Sequence, residues 1–101
     1  MKFGRKVNSE HVVVYIKRDE AQPSSRFGFV VAKTVGGAVQ RNLVKRRCRA
    51  IARQALAELI SSEDKFDIVV RALPGTASLD WNKLQTELLD AISVAAKKAR
   101  A

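Results

Sequence analysis

Residues 38–56, AVQRNLVKRRCRAIARQAL, constrain the chain more than any other stretch. From residue 42 to 60, Val44, Cys48, Ile51, Ala55 and Leu59 recur at intervals of four, three, four and four. That is the apolar stripe of an amphipathic helix. At about 100° per residue, Asn42, Lys45, Arg46, Arg49 and Arg53 fall on the opposite side, within an arc of about 100°. Only one face of such a helix can be buried, so the rest of the chain must supply a layer for it to lie on.

The other face is unusual. Six basic side chains stand between Arg41 and Arg53 with no acid among them, and the first acid downstream is Glu58. A solvated helix face usually mixes signs, because opposite charges four apart attract and like charges repel. A basic solvated face remains one reading; a surface that meets phosphates is the other, and the one-sided charge favours it. Arginine forks grip phosphate oxygens in pairs. Asn42 is placed near the helix start, where free N–H groups attract anions. Arg41 sits at or before that start, and Arg47 lies off the strip. Leu56 and Ile60 take the arginines' angle farther on, so the far end of the helix is expected to be covered. The binding surface then spans the first three turns.

HVVVYIKR (11–18) reads as a strand with Val12, Val14 and Ile16 on one face and Val13 and Tyr15 on the other. DEAQPSS (19–25) is a turn and RFGFVVAK (26–33) a second strand, the two strands pairing as an antiparallel hairpin. Gly28 suggests a bulge or the close approach of another group. TVGGAVQ (34–40) breaks regular structure, SSEDK (61–65) ends the helix, and FDIVVRAL (66–73) is a nearly continuous apolar run, as in a central strand. After the PGTAS loop, Ser78 or Asp80 can cap a last helix carrying Trp81, Leu84, Leu88, Ile92 and Ala95. The order is β-β-α-β-α, with a short extra strand around residues 3–8.

The 101 residues suit a single domain, 1–101, and 47% hydrophobic content is enough for a core. No apolar run approaches the ~18 residues of a membrane span, and no positively charged start followed by an apolar run suggests a signal peptide. Cys48 is the one cysteine, which suits a reducing, cytoplasmic setting. The net charge of +9 is segregated: residues 1–53 hold 13 Lys or Arg against three acids, and residues 54–101 hold six against seven. Cys48 on the apolar stripe reads as a buried small residue, His11 as a surface histidine, and Trp81 as core. On position alone Lys33 and Arg71 stay undecided, and Tyr15, Phe27 and Phe29 read as sheet packing. No nucleophile–base set and no metal cluster is evident, so no catalytic residue is named.

RFGFVVAKTVGGAVQRNLVKRRCRAIAR, residues 26–53, resembles the signature of the bacterial ribonuclease P protein component. Arg26, Gly28, Val31, Lys33, Gly36, Ala38, Val39, Arg41, Asn42, Lys45, Arg46 and Arg49 occupy matching positions, and the later strand and final helix look similar, with Arg71 at a commonly basic position. Departures are Leu43 in place of the third residue of Arg-Asn-Arg, Val30 and Ala32 for serines, Thr34 for lysine and Gly37 for asparagine. The family pattern also includes a basic helical segment ahead of the position where MKFGRK stands. Without that segment, leader binding is expected to suffer more than binding to the catalytic RNA.

The resemblance implies a two-layer α/β (α+β) sandwich like domain 2 of ribosomal protein S5, with a small mostly antiparallel sheet, helices packed against it and a βαβ crossover. It implies the protein subunit of ribonuclease P, an endonuclease that removes the 5′ leader from precursor tRNA. Catalysis and Mg2+ would reside in the RNA subunit. The partners would be that RNA and precursor tRNA, in a cytoplasmic 1:1 ribonucleoprotein with a monomeric protein. Lys33, Arg41, Asn42, Lys45, Arg46, Arg49, Arg53 and Arg71 would meet RNA, and Tyr15, Phe27 and Phe29 are candidates for a leader cleft. The rival is a non-enzymatic RNA-binding module, such as a ribosomal protein or RNA chaperone.

Overall fold

A computed structural model describes residues 4–101. Its elements are β1 (Arg5–Asn8), β2 (Val12–Arg18), β3 (Arg26–Val31), α1 (Ala38–Glu58), β4 (Phe66–Ala72) and α2 (Trp81–Arg100). Single 3-10 turns occupy Lys33–Val35 and Thr76–Ser78. The extra strand expected around residues 3–8 is β1; residue 3 itself lies outside the described residues.

The strands form one sheet in the order β1-β2-β4-β3, with only the β3–β4 pair parallel. The expected hairpin is therefore wrong: β4 lies between β2 and β3. Phe66, Ile68, Val70 and Ala72 of β4 are all buried, as Val12, Val13, Val14 and Ile16 of β2 are, and these two strands have a neighbour on each edge. Loop 19–25 consequently straps across the start of β4 instead of turning tightly. The Asp19 N–H donates to the Lys65 carbonyl (2.8 Å), and the Phe66 N–H donates to the Ser25 hydroxyl (2.9 Å). Lys65 Nζ in turn reaches the Pro23 carbonyl at 2.7 Å. β3, α1 and β4 make the expected βαβ crossover.

Register sorts the sheet into two faces. Val7, Val14, Val70 and Phe29 align in one row, and Ile16, Ile68 and Phe27 in the next. Both rows join a core with Val44, Cys48, Ile51 and Ala55 of α1 and Leu84, Leu88, Ile92 and Ala95 of α2. The helices thus cover one face only, giving two layers. Each large aliphatic side chain buried there contributes roughly 1.5–3 kcal/mol. Gly28 makes no bulge, because Arg26–Val31 pair with Asp67–Ala72 without interruption.

α1 begins at Ala38, four residues before the expected start. Gly37, in extended conformation, is its N-cap, and Ala38, Val39 and Gln40 are already helical. A Cβ on Gly36 would come within 2.9 Å of the Gln40 Cβ, so glycine lets the preceding turn lie against the first helical turn. At the other end Ile60 is buried, but Leu56 is 40% exposed, so the expected cover over the arginines' angle is missing there. In α2, Asp80 rather than Ser78 is the cap: its carboxylate accepts the Lys83 N–H at 2.8 Å. Trp81 has the phase of the core stripe yet is 38% exposed, because it is the helix's first residue and stands where the core stops.

Two clamps hold α2. His11, read from sequence as a surface residue, is half-buried, its Nδ1 2.8 Å from Glu87 Oε1 and its N–H donating to Oε2 at 2.6 Å. The Ser9 hydroxyl adds a bond to Oε2 at 2.8 Å. Burial raises the Glu87 pKa, but these donors outweigh it and hold the carboxyl below its usual range. At the far end Arg100 pairs with Asp64 at 2.6 Å and donates to the Leu59 carbonyl at 2.9 Å. The Arg100 hydrogen bond is the main cause of a lowered Asp64 pKa. Among the described residues no helix is long and apolar enough to cross a membrane.

Candidate nucleic-acid interface

The stripe that buries Val44, Cys48, Ile51, Ala52 and Ala55 of α1 leaves Asn42, Arg46, Arg49 and Arg53 exposed on the side away from the core. Lys45 is half-buried at the edge of this strip. The ion pairs among the described residues join His11 to Glu10 and Glu87, Arg18 to Glu20, Arg26 to Asp67 and Arg100 to Asp64. None involves a side chain of α1. The helix has no acid in its first turn, and Glu58, its one acid, accepts from Gln54 at 3.0 Å. Arg46, Arg49 and Arg53 therefore face solvent without internal neutralisation, which repels neighbours on the helix and attracts a polyanion.

The early helix start alters two of the sequence expectations. Arg41 lies inside the first turn, its N–H bonded to the Gly37 carbonyl (2.9 Å), and its half-buried side chain keeps a buried Nε without a partner among the described residues. Asn42 stands beyond the free N–H groups of Ala38, Val39 and Gln40, so it does not share the anion-attracting helix end. Arg47, which lies off the strip, is not spare: its Nη1 donates to the Leu79 carbonyl at 2.9 Å and fixes the approach to α2.

The remaining expected residues divide between two surfaces. Lys33 is exposed in the turn leading to α1. Arg71 is exposed on the sheet face opposite the helices, in register with Val13 and Val30. Tyr15 shares that open face, in a row with Lys6, Val69 and Gly28. Phe27 and Phe29 do not: alternation turns both to the helix side, where they stack with ring centroids 6.2 Å apart against the core. The three aromatics expected together are thus separated by the sheet.

Sequence reading missed the open face as a unit. Lys6, Asn8 and Lys17 line it with Tyr15, Arg71 and the exposed Val30, and period-two alternation back from Tyr15 and Arg71 was the available signal. Gly28 leaves that face flat; a Cβ there would meet only the Val69 Cγ2, at 3.9 Å.

Burial pushes the Cys48 thiol up to about 11, which keeps it neutral and a poor nucleophile. Among the described residues no three His, Cys, Asp or Glu side chains come together to hold a metal ion.

A four-stranded mixed sheet with helices on one face, one of them carrying a cationic strip free of acids over residues 41–53, defines a two-layer α+β protein. The chain belongs to the ribonuclease P protein family: the Ribonuclease P family model matches residues 1–96. The ribonuclease P protein component of Kocuria rhizophila is 37% identical over 98 residues, covering 97% of this chain and 83% of that one. The solved RNase P protein of Staphylococcus aureus superposes with a TM-score of 0.80 at 26% identity, over 91% of this chain and 81% of that chain. The Thermotoga maritima RNase P protein gives 0.77 at 28%, over 90% and 83%.

Proposed function

We propose that this chain is the protein subunit of ribonuclease P. It binds the catalytic RNA through α1 and assists removal of the 5′ leader from precursor tRNA, as a monomer in a cytoplasmic 1:1 ribonucleoprotein. The observation that carries this reading is the strip Asn42, Lys45, Arg46, Arg49 and Arg53, unneutralised within a chain of this family. Arg41 adjoins it in the first turn of the same helix, its side chain half-buried. Lys33 lies at the entrance to the same helix.

Catalysis and Mg2+ are assigned to the RNA, and no step is routed through a metal on the protein. What the protein contributes is charge. Arginines that neutralise crowded phosphates lower the repulsion opposing substrate and cation binding beside them. The open sheet face suits the leader: Lys6, Lys17 and Arg71 offer charge around Tyr15, and the flat Gly28 lets a strand approach. Such contacts tolerate many leader sequences. Phe27 and Phe29, on the covered face, are left out of this cleft.

The test is cleavage of precursor tRNA at limiting magnesium by a bacterial ribonuclease P RNA, with and without this protein. Strong stimulation, lost in an Arg46→Ala/Arg49→Ala variant, is expected. A protein that neither binds the RNA nor stimulates it would instead fit a structural RNA-binding module of the ribosomal or chaperone kind.

A further inference from the structure

The last turn before α2 is pinned to α1 at two points. Arg47 holds the Leu79 carbonyl at 2.9 Å, and Gln85 Nε2 donates to Gln54 Oε1 at 2.7 Å. Trp81 lies between these points, two residues after Leu79 and one helical turn before Gln85. The segment that carries Trp81 is therefore tied at both ends to the 47–54 stretch of α1. The residue of α1 that Arg47 and Gln54 flank on that side is Ala50, exposed and small, with Arg46 and Arg53 as its neighbours on the cationic strip.

We infer that Trp81 is a stacking platform for an unpaired base of the RNA that α1 holds by its phosphates. Three observations lead here. Trp81 is 38% exposed although its helical phase belongs to the core, so a large aromatic residue stands at the surface where the core stops. The chain on either side of it is tied to α1, before it through the Leu79 carbonyl and after it through the Gln85 side chain, so the segment is placed before any ligand arrives. The neighbouring α1 strip supplies phosphate contacts and no acid that would repel a nucleotide. An indole beside arginines is the combination that holds a splayed-out nucleotide, base on the ring and phosphate on the guanidinium. A base within a duplex exposes no face to it, so the ligand is a bulged or looped nucleotide. Arg47 acts here as a positioning residue, through Leu79, and not as a phosphate contact.

This inference rests on the RNA-subunit reading, and Trp81 makes the two separable because it is the one tryptophan of the protein. Its fluorescence is followed while the wild-type protein is titrated with ribonuclease P RNA, binding being scored independently by mobility shift. Quenching that tracks binding, with protection from acrylamide, is expected. A single-stranded leader oligonucleotide is expected to leave the signal unchanged. Trp81→Ala should weaken binding to the RNA about ten-fold, or about 1.4 kcal/mol, within the range for one stacked base. Trp81→Phe should recover most of that loss. The slope of log affinity against log salt should be the same in all three proteins, because stacking releases no counterions. Binding with no change at Trp81, or quenching by the leader oligonucleotide instead, overturns the inference and leaves the subunit reading standing. No binding at all overturns both.

Discussion

The two helices obey opposite rules. α2 has a side-chain cap at Asp80, Lys97, Lys98 and Arg100 in its last turn where the helix dipole favours cations, and clamps at Glu87 and Arg100. α1 has no side-chain cap, no acid in its first turn and a run of like charges through its middle. Both bury an apolar stripe in the same core. A helix that violates local stability rules on its exposed side, while its partner satisfies them, is carrying a requirement from outside the fold. Under the proposed function, that requirement is a phosphate backbone.

The contrast can be broken or sharpened by substitution. Leu88→Ala, in the fully buried stripe of α2, should cost about 2–5 kcal/mol in unfolding free energy by denaturant titration. It should leave the affinity of the folded fraction for RNA unchanged.

Asp64→Asn should cost about 1–3 kcal/mol, since it breaks a charged hydrogen bond and a half-buried contact to Arg100. It carries a pH signature. The Asp64 pKa lies below its ordinary value of 3.8 in the folded protein, so its contribution is complete above that value and fades as pH falls through the lower folded pKa. Wild-type stability should drop in that acid range, and Asp64→Asn should lack this part of the drop.

Asp80→Ala removes the α2 cap and should cost about 1 kcal/mol, a fall of several degrees in melting temperature. The smallest effect is the most pointed. Ala50→Glu places an acid among Arg46, Arg47 and Arg53 at helical spacing and should stabilise the fold by about 0.2–0.5 kcal/mol for each pair formed. The same change should weaken RNA binding. Stability and binding moving in opposite directions would mark the charge run as a functional feature rather than a tolerated one.

Local patterns made most elements legible. The 44-48-51-55 spacing, the Pro23 loop and the apolar run at 66–73 located both helices and the strands, and the charge count located the strip. What was not legible is non-local. Nothing near residues 11–33 states that β4 will come between β2 and β3; only the pairing of the full sheet decides it. The faces of Phe27 and Phe29 followed from the same register. Trp81 was misread because helical phase says which way a side chain points, while core depth at a helix end depends on where neighbouring elements stop. Arg47 was hard to place because its partner is a backbone carbonyl 32 residues away.

The most direct test removes the same charge from each helix. Arg46→Ala/Arg49→Ala on α1 and Lys97→Ala/Lys98→Ala on α2 each delete two exposed cations. The affinity of both variants and the wild type for ribonuclease P RNA is measured across a salt series. If α1 is the phosphate-binding face, the α1 variant loses affinity and its log–log salt slope shrinks by roughly 1–2, as expected for two lost phosphate contacts. The α2 variant should track the wild type. Equal losses in the two variants would contradict the account and reduce the α1 strip to a share of the overall charge.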